Sequence, residues 1–171
     1  MDGLRWSPKR GLAILLTIAT TVAAASPTEQ LHGTFWLAAR RADGTLIARS
    51  QVREGDTFVL RYRNSLYRSL AEERFTARDG RLELVSLAAD ELAVLEEYYQ
   101  IAGRARRVRN DGLRAWSASP ALPVSVSELH IAATDLGQRT LVLPGRADVE
   151  LWRTVDDHRP TVTLRLEATD R

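Results

Sequence analysis

Short runs of alternating apolar and polar residues, separated by turn-forming residues, recur along most of this chain. In the clearest run, 57–67 (TFVLRYRNSLY), Phe58, Leu60 and Tyr62 fall on one face and more polar side chains on the other. A period of two is that of a β-strand with one buried face. Nine strands are predicted in this way, at 34–40, 45–52, 57–67, 70–77, 81–87, 124–133, 138–143, 147–153 and 161–168.

The turns between these runs carry the second signal. Asp43-Gly44 and Asp79-Gly80 each lie between two predicted strands, and Asp-Gly in that position is a strong hairpin signal because glycine readily adopts a positive φ. Regularly spaced short strands joined by turns predict an all-β fold, either an antiparallel sandwich or a small barrel.

One segment departs from this pattern. In residues 90–99 (DELAVLEEYY), Leu92, Leu95 and Tyr99 share a helical face, and Asp90 is suited to cap the start. We therefore expect a single short helix after the fifth strand.

The first residues have the layout of a secretory signal. Residues 1–10 carry a net positive charge, residues 11–25 are uncharged, and Ala23, Ala24 and Ala25 provide small side chains before Ser26. This pattern is typical of a cleavable signal peptide. The uncharged stretch is 15 residues long, whereas about 20 are needed to cross a membrane comfortably. An uncleaved anchor and a buried N-terminal helix are the alternatives.

We accordingly expect a signal peptide at 1–25, a linker at 26–33 and a single β domain at 34–169, with a mature chain that begins at Ser26. The expected location is the periplasm or the outer face of the cytoplasmic membrane. The sequence contains no cysteine, so neither a disulfide nor a lipid on an N-terminal cysteine is available.

Charge argues against a nucleic-acid partner. The full chain has 24 basic and 22 acidic residues, but three of the basic residues and one acidic residue lie in the predicted signal, so 21 of each remain. A nucleic-acid-binding domain usually keeps a basic excess, and we expect no nucleic-acid contact.

Four residues near the clearest strand are candidates for binding a ligand: Tyr62, Asn64, Ser65 and Glu73. Alternation places Tyr62 and Asn64 on the buried face, and Glu73 shares a face with Phe75 on the next strand. Burying a carboxylate costs free energy unless it is hydrogen-bonded. Tyr62, Asn64 and Glu73 could satisfy one another, either as a polar network inside the core or as the floor of a small pocket.

Arginines at 104–109 (RARRVR) form the most conspicuous charged segment, with Arg114 close behind. Arg104, Arg106, Arg107 and Arg109 are candidates for binding an anionic surface. The alternative is a solvated loop that Glu96, Glu97 and Asp111 neutralise.

No motif for metal binding, a cofactor or nucleophilic catalysis is recognisable. His32, His130 and His158 lack metal-ligand spacing, and the chain has no nucleophile elbow and no phosphate-binding glycine loop. We therefore assign no catalytic residue, no metal and no cofactor, and the absence of such motifs disfavours an enzyme.

The stretch 58–75 (FVLRYRNSLYRSLAEERF), followed by Asp79-Gly80, resembles domain-of-unknown-function family 1850. Members typically show aromatic-x-x-x-Tyr-x-His-Ser-hydrophobic, then Pro-Val-x-Glu-x-Phe, then an acidic-Gly turn. Tyr62, Ser65, Glu73 and Phe75 match this pattern. Asn64 stands where the family has histidine, and asparagine does not titrate near neutral pH. Leu70-Ala71 replaces the Pro-Val pair, and the family's small Ala-Gly element is not recognisable.

The resemblance implies a small exported protein that assists a solute uptake system of the tripartite periplasmic type. The expected partners are transporter subunits or a small organic-acid ligand. Membrane contact is expected only through the leader, if it is retained, or weakly through the arginine segment. The alternative function is a ligand-binding protein or a hydrolase-type enzyme with a dispersed site around Glu73.

Overall fold

The structure is a computed structural model that describes residues 33–100, 104–108, 114–143 and 145–169. The predicted signal peptide and almost all of the linker lie outside the described residues. Twelve strands are present: β1 (Thr34–Arg41), β2 (Leu46–Arg53), β3 (Thr57–Arg63), β4 (Leu70–Arg78), β5 (Arg81–Ala89), β6 (Arg106–Arg107), β7 (Trp116–Ala118), β8 (Val124–Val126), β9 (Glu128–Ala132), β10 (Thr140–Val142), β11 (Val149–Glu150) and β12 (Thr161–Ala168).

These strands form two antiparallel sheets. The smaller sheet has the order β2-β1-β12-β9, and the larger has the order β11-β10-β3-β4-β5-β7-β6, with β8 paired to the first half of β5. The prediction of an all-β antiparallel fold is confirmed.

Both Asp-Gly hairpins are present. Gly44 has φ +86°, and the side chain of Asp43 accepts a hydrogen bond from the backbone N–H of Thr45 at 2.9 Å. In the turn between β4 and β5, Asp79 and Gly80 both have positive φ, at 50° and 68°. Two consecutive left-handed residues are characteristic of the type I′ turn, whose twist matches that of the flanking strands.

The main hydrophobic core lies between the two sheets. It combines Leu37, Val162 and Leu164 from the smaller sheet with side chains of β3, β4 and β5 from the larger one. Phe58 and Phe75 stack on neighbouring strands with ring centroids 5.6 Å apart. A core shared by the inner faces of two sheets defines the sandwich rather than the barrel.

A second core extends the larger sheet at one end. Its buried residues are Tyr62, Ala71, Leu87, Ala89, Val94, Leu95 and Ala118. All come from the larger sheet or from the turn after β5, so this turn covers the part of the inner face that the smaller sheet does not reach.

The predicted short helix is a single π-helical turn, Val94–Tyr98. It buries the adjacent residues Val94 and Leu95 rather than the spaced face predicted from Leu92, Leu95 and Tyr99. Asp90 makes no cap; it accepts hydrogen bonds from Arg114 instead. A 3₁₀ turn, Leu151–Arg153, follows β11.

The number of strands exceeds the nine predicted. The predicted run 124–133 divides into β8 and β9, which pair with different sheets, and β6 and β7 lie between residues 99 and 124, where no strand is predicted. These strands are two to five residues long, too short for alternation to be recognised in the sequence.

The register of β3 generates a stability prediction. Leu60 is 0% exposed in the main core, whereas Leu66 is 73% exposed in the turn after β3. We expect Leu60→Ala to lower the free energy of unfolding by about 2–5 kcal/mol through lost burial and a residual cavity. Leu66→Ala is the matched control, expected to change it by less than about 0.5 kcal/mol. Urea denaturation measures both, and equal effects would contradict this register.

Candidate functional site

A half-buried polar network joins Glu73 to Tyr62, with Tyr99 as its third member where the sequence suggested Asn64. The hydroxyl of Tyr99 donates to Oε1 of Glu73 and is 2.5 Å from the hydroxyl of Tyr62. The guanidinium of Arg139 lies over the Tyr62 ring, 4.4 Å from its centroid. Glu73 therefore has a hydrogen-bond donor inside the second core, which compensates for its removal from water.

Asn64 is buried, as alternation predicts, but it is satisfied locally. Its Oδ1 accepts hydrogen bonds from the backbone N–H groups of Leu66 and Tyr67, both at 3.0 Å. This is an Asx-type turn between β3 and β4. Ser65 is exposed in the same turn. The structure thus brings Tyr62 and Glu73 together through Tyr99, and leaves Asn64 and Ser65 outside this network.

Tyr99 is the member that sequence reasoning missed. The sequence pattern places it on a helical face, and it lies 26 positions from Glu73, so no local signal indicates their contact. Burial raises the pKa of both Tyr62 and Tyr99 well above the ordinary tyrosine value, and the charge of Glu73 adds to both shifts. Both phenols are therefore neutral hydrogen-bonding groups at physiological pH.

The arginine segment forms a groove on the outer face of the larger sheet. Arg106 on β6 pairs with Ser117 on β7, and Arg104 donates to the carbonyl of Ala121 at 3.4 Å. These residues line what we call the arginine groove, a cleft of about 710 Å³ whose polar lining residues are Ser86, Arg104, Arg106, Ser117 and Ser119.

The other predicted anion-binding arginines lie elsewhere. Arg107 is opposite Trp116 and, by strand alternation, projects from the other face of β6. Arg109 lies outside the described residues, as does Asp111. Glu97, which was expected to neutralise the segment, accepts a hydrogen bond from Tyr67.

A smaller cavity adjoins the groove and shares Ser86, Val108 and Ser117 with it. This inner pocket has a volume of about 160 Å³, and it is lined by Glu72, Arg74, Ser86, Ala88, Val108, Arg114 and Ser117. The groove and the inner pocket together present four arginines and one glutamate. The outer-face positions of Glu72 and Arg74 follow from alternation on β4, but the sequence does not show that this strand meets Arg106 and Arg114.

Ion pairs organise one wall of the inner pocket. Oε1 of Glu72 accepts hydrogen bonds from Nε of Arg61 at 3.1 Å and from Nε of Arg114 at 3.2 Å. Arg114 also contacts Asp90 at 3.4 Å. Arg74 lines the same pocket and forms no ion pair with any carboxylate in the described part of the chain.

A separate cleft lies at the end of the sandwich. It has a volume of about 770 Å³ and is lined by Arg41, Arg153, Arg159 and residues of the two adjacent loops. Its two carboxylates, Asp43 and Asp156, accept hydrogen bonds from backbone N–H groups of their own turns. This cleft is similar in volume to the arginine groove but has no serine in its lining, and it provides a matched control surface.

Within the described ranges no group of three or more histidine, aspartate or glutamate side chains is placed to hold a metal ion. His130 contacts Thr163 at 3.0 Å and Glu128 at 3.6 Å. None of the helical segments in the described part of the chain has the length and apolar character to cross a membrane.

No protein-family model, no curated protein and no solved structure matches this chain.

The Tyr99 hydroxyl generates a second stability prediction. In Tyr99→Phe, the Glu73 carboxylate loses its donor inside the second core, and we expect a loss of about 1–3 kcal/mol in the free energy of unfolding. The neighbouring Tyr98 is 55% exposed, and Tyr98→Phe is the control, with a change below about 0.5 kcal/mol. Chemical denaturation of both variants checks this, and a Tyr99→Phe variant as stable as its control would contradict the network.

The raised pKa values of Tyr62 and Tyr99 predict a loss of stability in alkali. Both phenols ionise near pH 10 when unfolded, so the unfolded state releases protons that the folded state retains. The stabilising contribution is complete below about pH 10 and is lost as the pH rises towards the folded pKa values. We expect the absorbance change of these two phenolates to coincide with unfolding, and Tyr62→Phe to make stability fall less steeply above pH 10. Two phenolates that appear while the circular dichroism remains native would contradict it.

Proposed function

We propose that this chain is an exported, non-catalytic domain of the cell envelope that binds a small organic acid and assists a solute uptake system. The observation that carries the proposal is the arginine groove with its inner pocket, where Arg74, Arg104, Arg106 and Arg114 surround a floor of serine hydroxyls. The cellular setting is inferred from the sequence alone, from the signal-like leader and from the motif at 58–75 that resembles family 1850.

The chemistry of the groove suits a carboxylate. A guanidinium group offers paired donors that match the two oxygens of a carboxylate, and it remains charged at any physiological pH. Ser86 and Ser117 add hydroxyls that either donate or accept. The volume of about 160 Å³ in the inner pocket favours a small acid over a polymer.

The polar network around Glu73 favours a binding role over hydrolysis. A general base needs a carboxylate within reach of the substrate's proton, but Oε1 of Glu73 accepts the Tyr99 hydroxyl inside the second core. The arginine groove lies on the opposite face of the same sheet, so the groove and Glu73 do not form one site.

Calorimetric titration tests the binding proposal. The ligands are acetate, propionate, lactate, succinate and citrate at low ionic strength, which preserves contacts between exposed charges. We expect at least one acid to bind, and Arg74→Gln combined with Arg106→Gln to weaken its binding by about tenfold or more, because charge-assisted hydrogen bonds are lost. Arg159→Gln, in the separate cleft, is the control and leaves the affinity unchanged.

The role in uptake has its own readout. Deletion of the gene should lower the initial rate of uptake of the acid that binds in vitro. The wild-type chain should restore this rate, whereas the double arginine variant should not.

Two outcomes of the calorimetric titration would contradict the binding proposal. If none of the acids binds, or if Arg159→Gln weakens binding as much as the double variant, the arginine groove is not the binding site.

A further inference from the structure

Glu72 is an unusual lining residue for an anion site. It is only 9% exposed, and its Oε1 is held by the guanidinium groups of Arg61 and Arg114. Its second oxygen, Oε2, accepts no hydrogen bond from Arg61, Arg114 or any other described residue. Glu72 also lines the inner pocket.

Glu72 and Arg74 place opposite charges on one wall of this pocket. They are two residues apart on β4, so they share a face with their Cα atoms roughly 6.7 Å apart. A carboxylate that binds Arg74 brings its adjacent carbon towards Glu72. If the carbon next to the ligand's carboxylate carries only hydrogen, Oε2 of Glu72 has no hydrogen-bond partner and repels the ligand's negative charge. A hydrogen-bond donor on that carbon supplies the missing partner and offsets the repulsion.

We propose that the inner pocket selects small acids with a hydrogen-bond donor, a hydroxyl or an ammonium group, on the carbon next to the carboxylate. The inference rests on the proposed function and specifies its ligand. The carboxylate binds Arg74, the donor binds Oε2 of Glu72, and the hydroxyls of Ser86 and Ser117 contact the remaining polar atoms. Ala88 and Val108 provide the apolar lining for a short alkyl group.

The ion pairs of Glu72 act as positioning contacts in this arrangement. Because Arg61 and Arg114 both bind Oε1, the carboxylate is fixed with Oε2 as the oxygen left for a ligand. The same two contacts offset the cost of keeping Glu72 charged and nearly buried.

Three acids of the same carbon skeleton test the proposal by calorimetric titration of the wild-type chain: propionate has no donor, lactate has a hydroxyl and alanine has an ammonium group. We expect lactate or alanine, or both, to bind about tenfold or more tightly than propionate, in line with a hydrogen bond to a charged group. The comparison of lactate with alanine identifies the donor. If propionate binds as tightly as the other two, the selectivity is wrong while acid binding stands; if no acid binds, both proposals fail.

A substitution of Glu72 provides the second arm. In Glu72→Gln, lactate and alanine should fall to the affinity of propionate, while propionate binds no more weakly than before. Because this change also breaks two ion pairs, its thermal unfolding is compared with that of Glu83→Gln, which breaks the pair with Arg78 elsewhere on the larger sheet. Glu83→Gln should keep the preference for a donor. A folded Glu72→Gln that retains the full preference would overturn the proposal.

Discussion

The alternation of side chains along β4 is the constraint on which both polar features of the molecule depend. Glu72, Glu73 and Arg74 are consecutive, and each would be costly to bury without a partner. A strand sends neighbouring side chains to opposite faces, so Glu73 enters the second core while Glu72 and Arg74 line the inner pocket. A slip of one residue in the pairing of β3 with β4 would exchange these roles.

The covering of the second core follows from the same constraint. The smaller sheet does not reach this part of the inner face, where Glu73 would otherwise meet water. The turn Val94–Tyr98 fills the space with Val94 and Leu95, and Tyr99 supplies the donor that Glu73 needs. Arg104 follows Tyr99 by only five positions in the sequence, and Arg104 and Arg106 line the groove on the outer face.

The sequence predicts those features that depend on local periodicity and turn chemistry. Alternation correctly placed Tyr62, Asn64 and Glu73 towards the interior, and the two Asp-Gly turns fixed the hairpins around β1–β2 and β4–β5. The sequence pattern does not predict contacts between segments that are distant in the chain. Nothing local indicates that Tyr99 binds Glu73, or that Arg114 binds Glu72 across 42 residues. A bulge between Arg74 and Phe75 also shifts the register against β5, so the serines of the pocket floor could not be aligned in advance.

The position of β12 has a consequence for the order of folding. In the smaller sheet this strand lies between β1 and β9, and its residues pair with Phe35–Arg41, more than 120 positions earlier in the chain. The hairpin of β1 and β2 has no partner on its other side until β12, the last strand of the described chain, is available. The smaller sheet therefore cannot complete its side of the main core until β12 pairs with β1. Contacts of such long sequence separation slow folding, because the entropy of closing the loop is lost before the contacts repay it. A chain with this topology is expected to fold more slowly than one built from sequential hairpins alone.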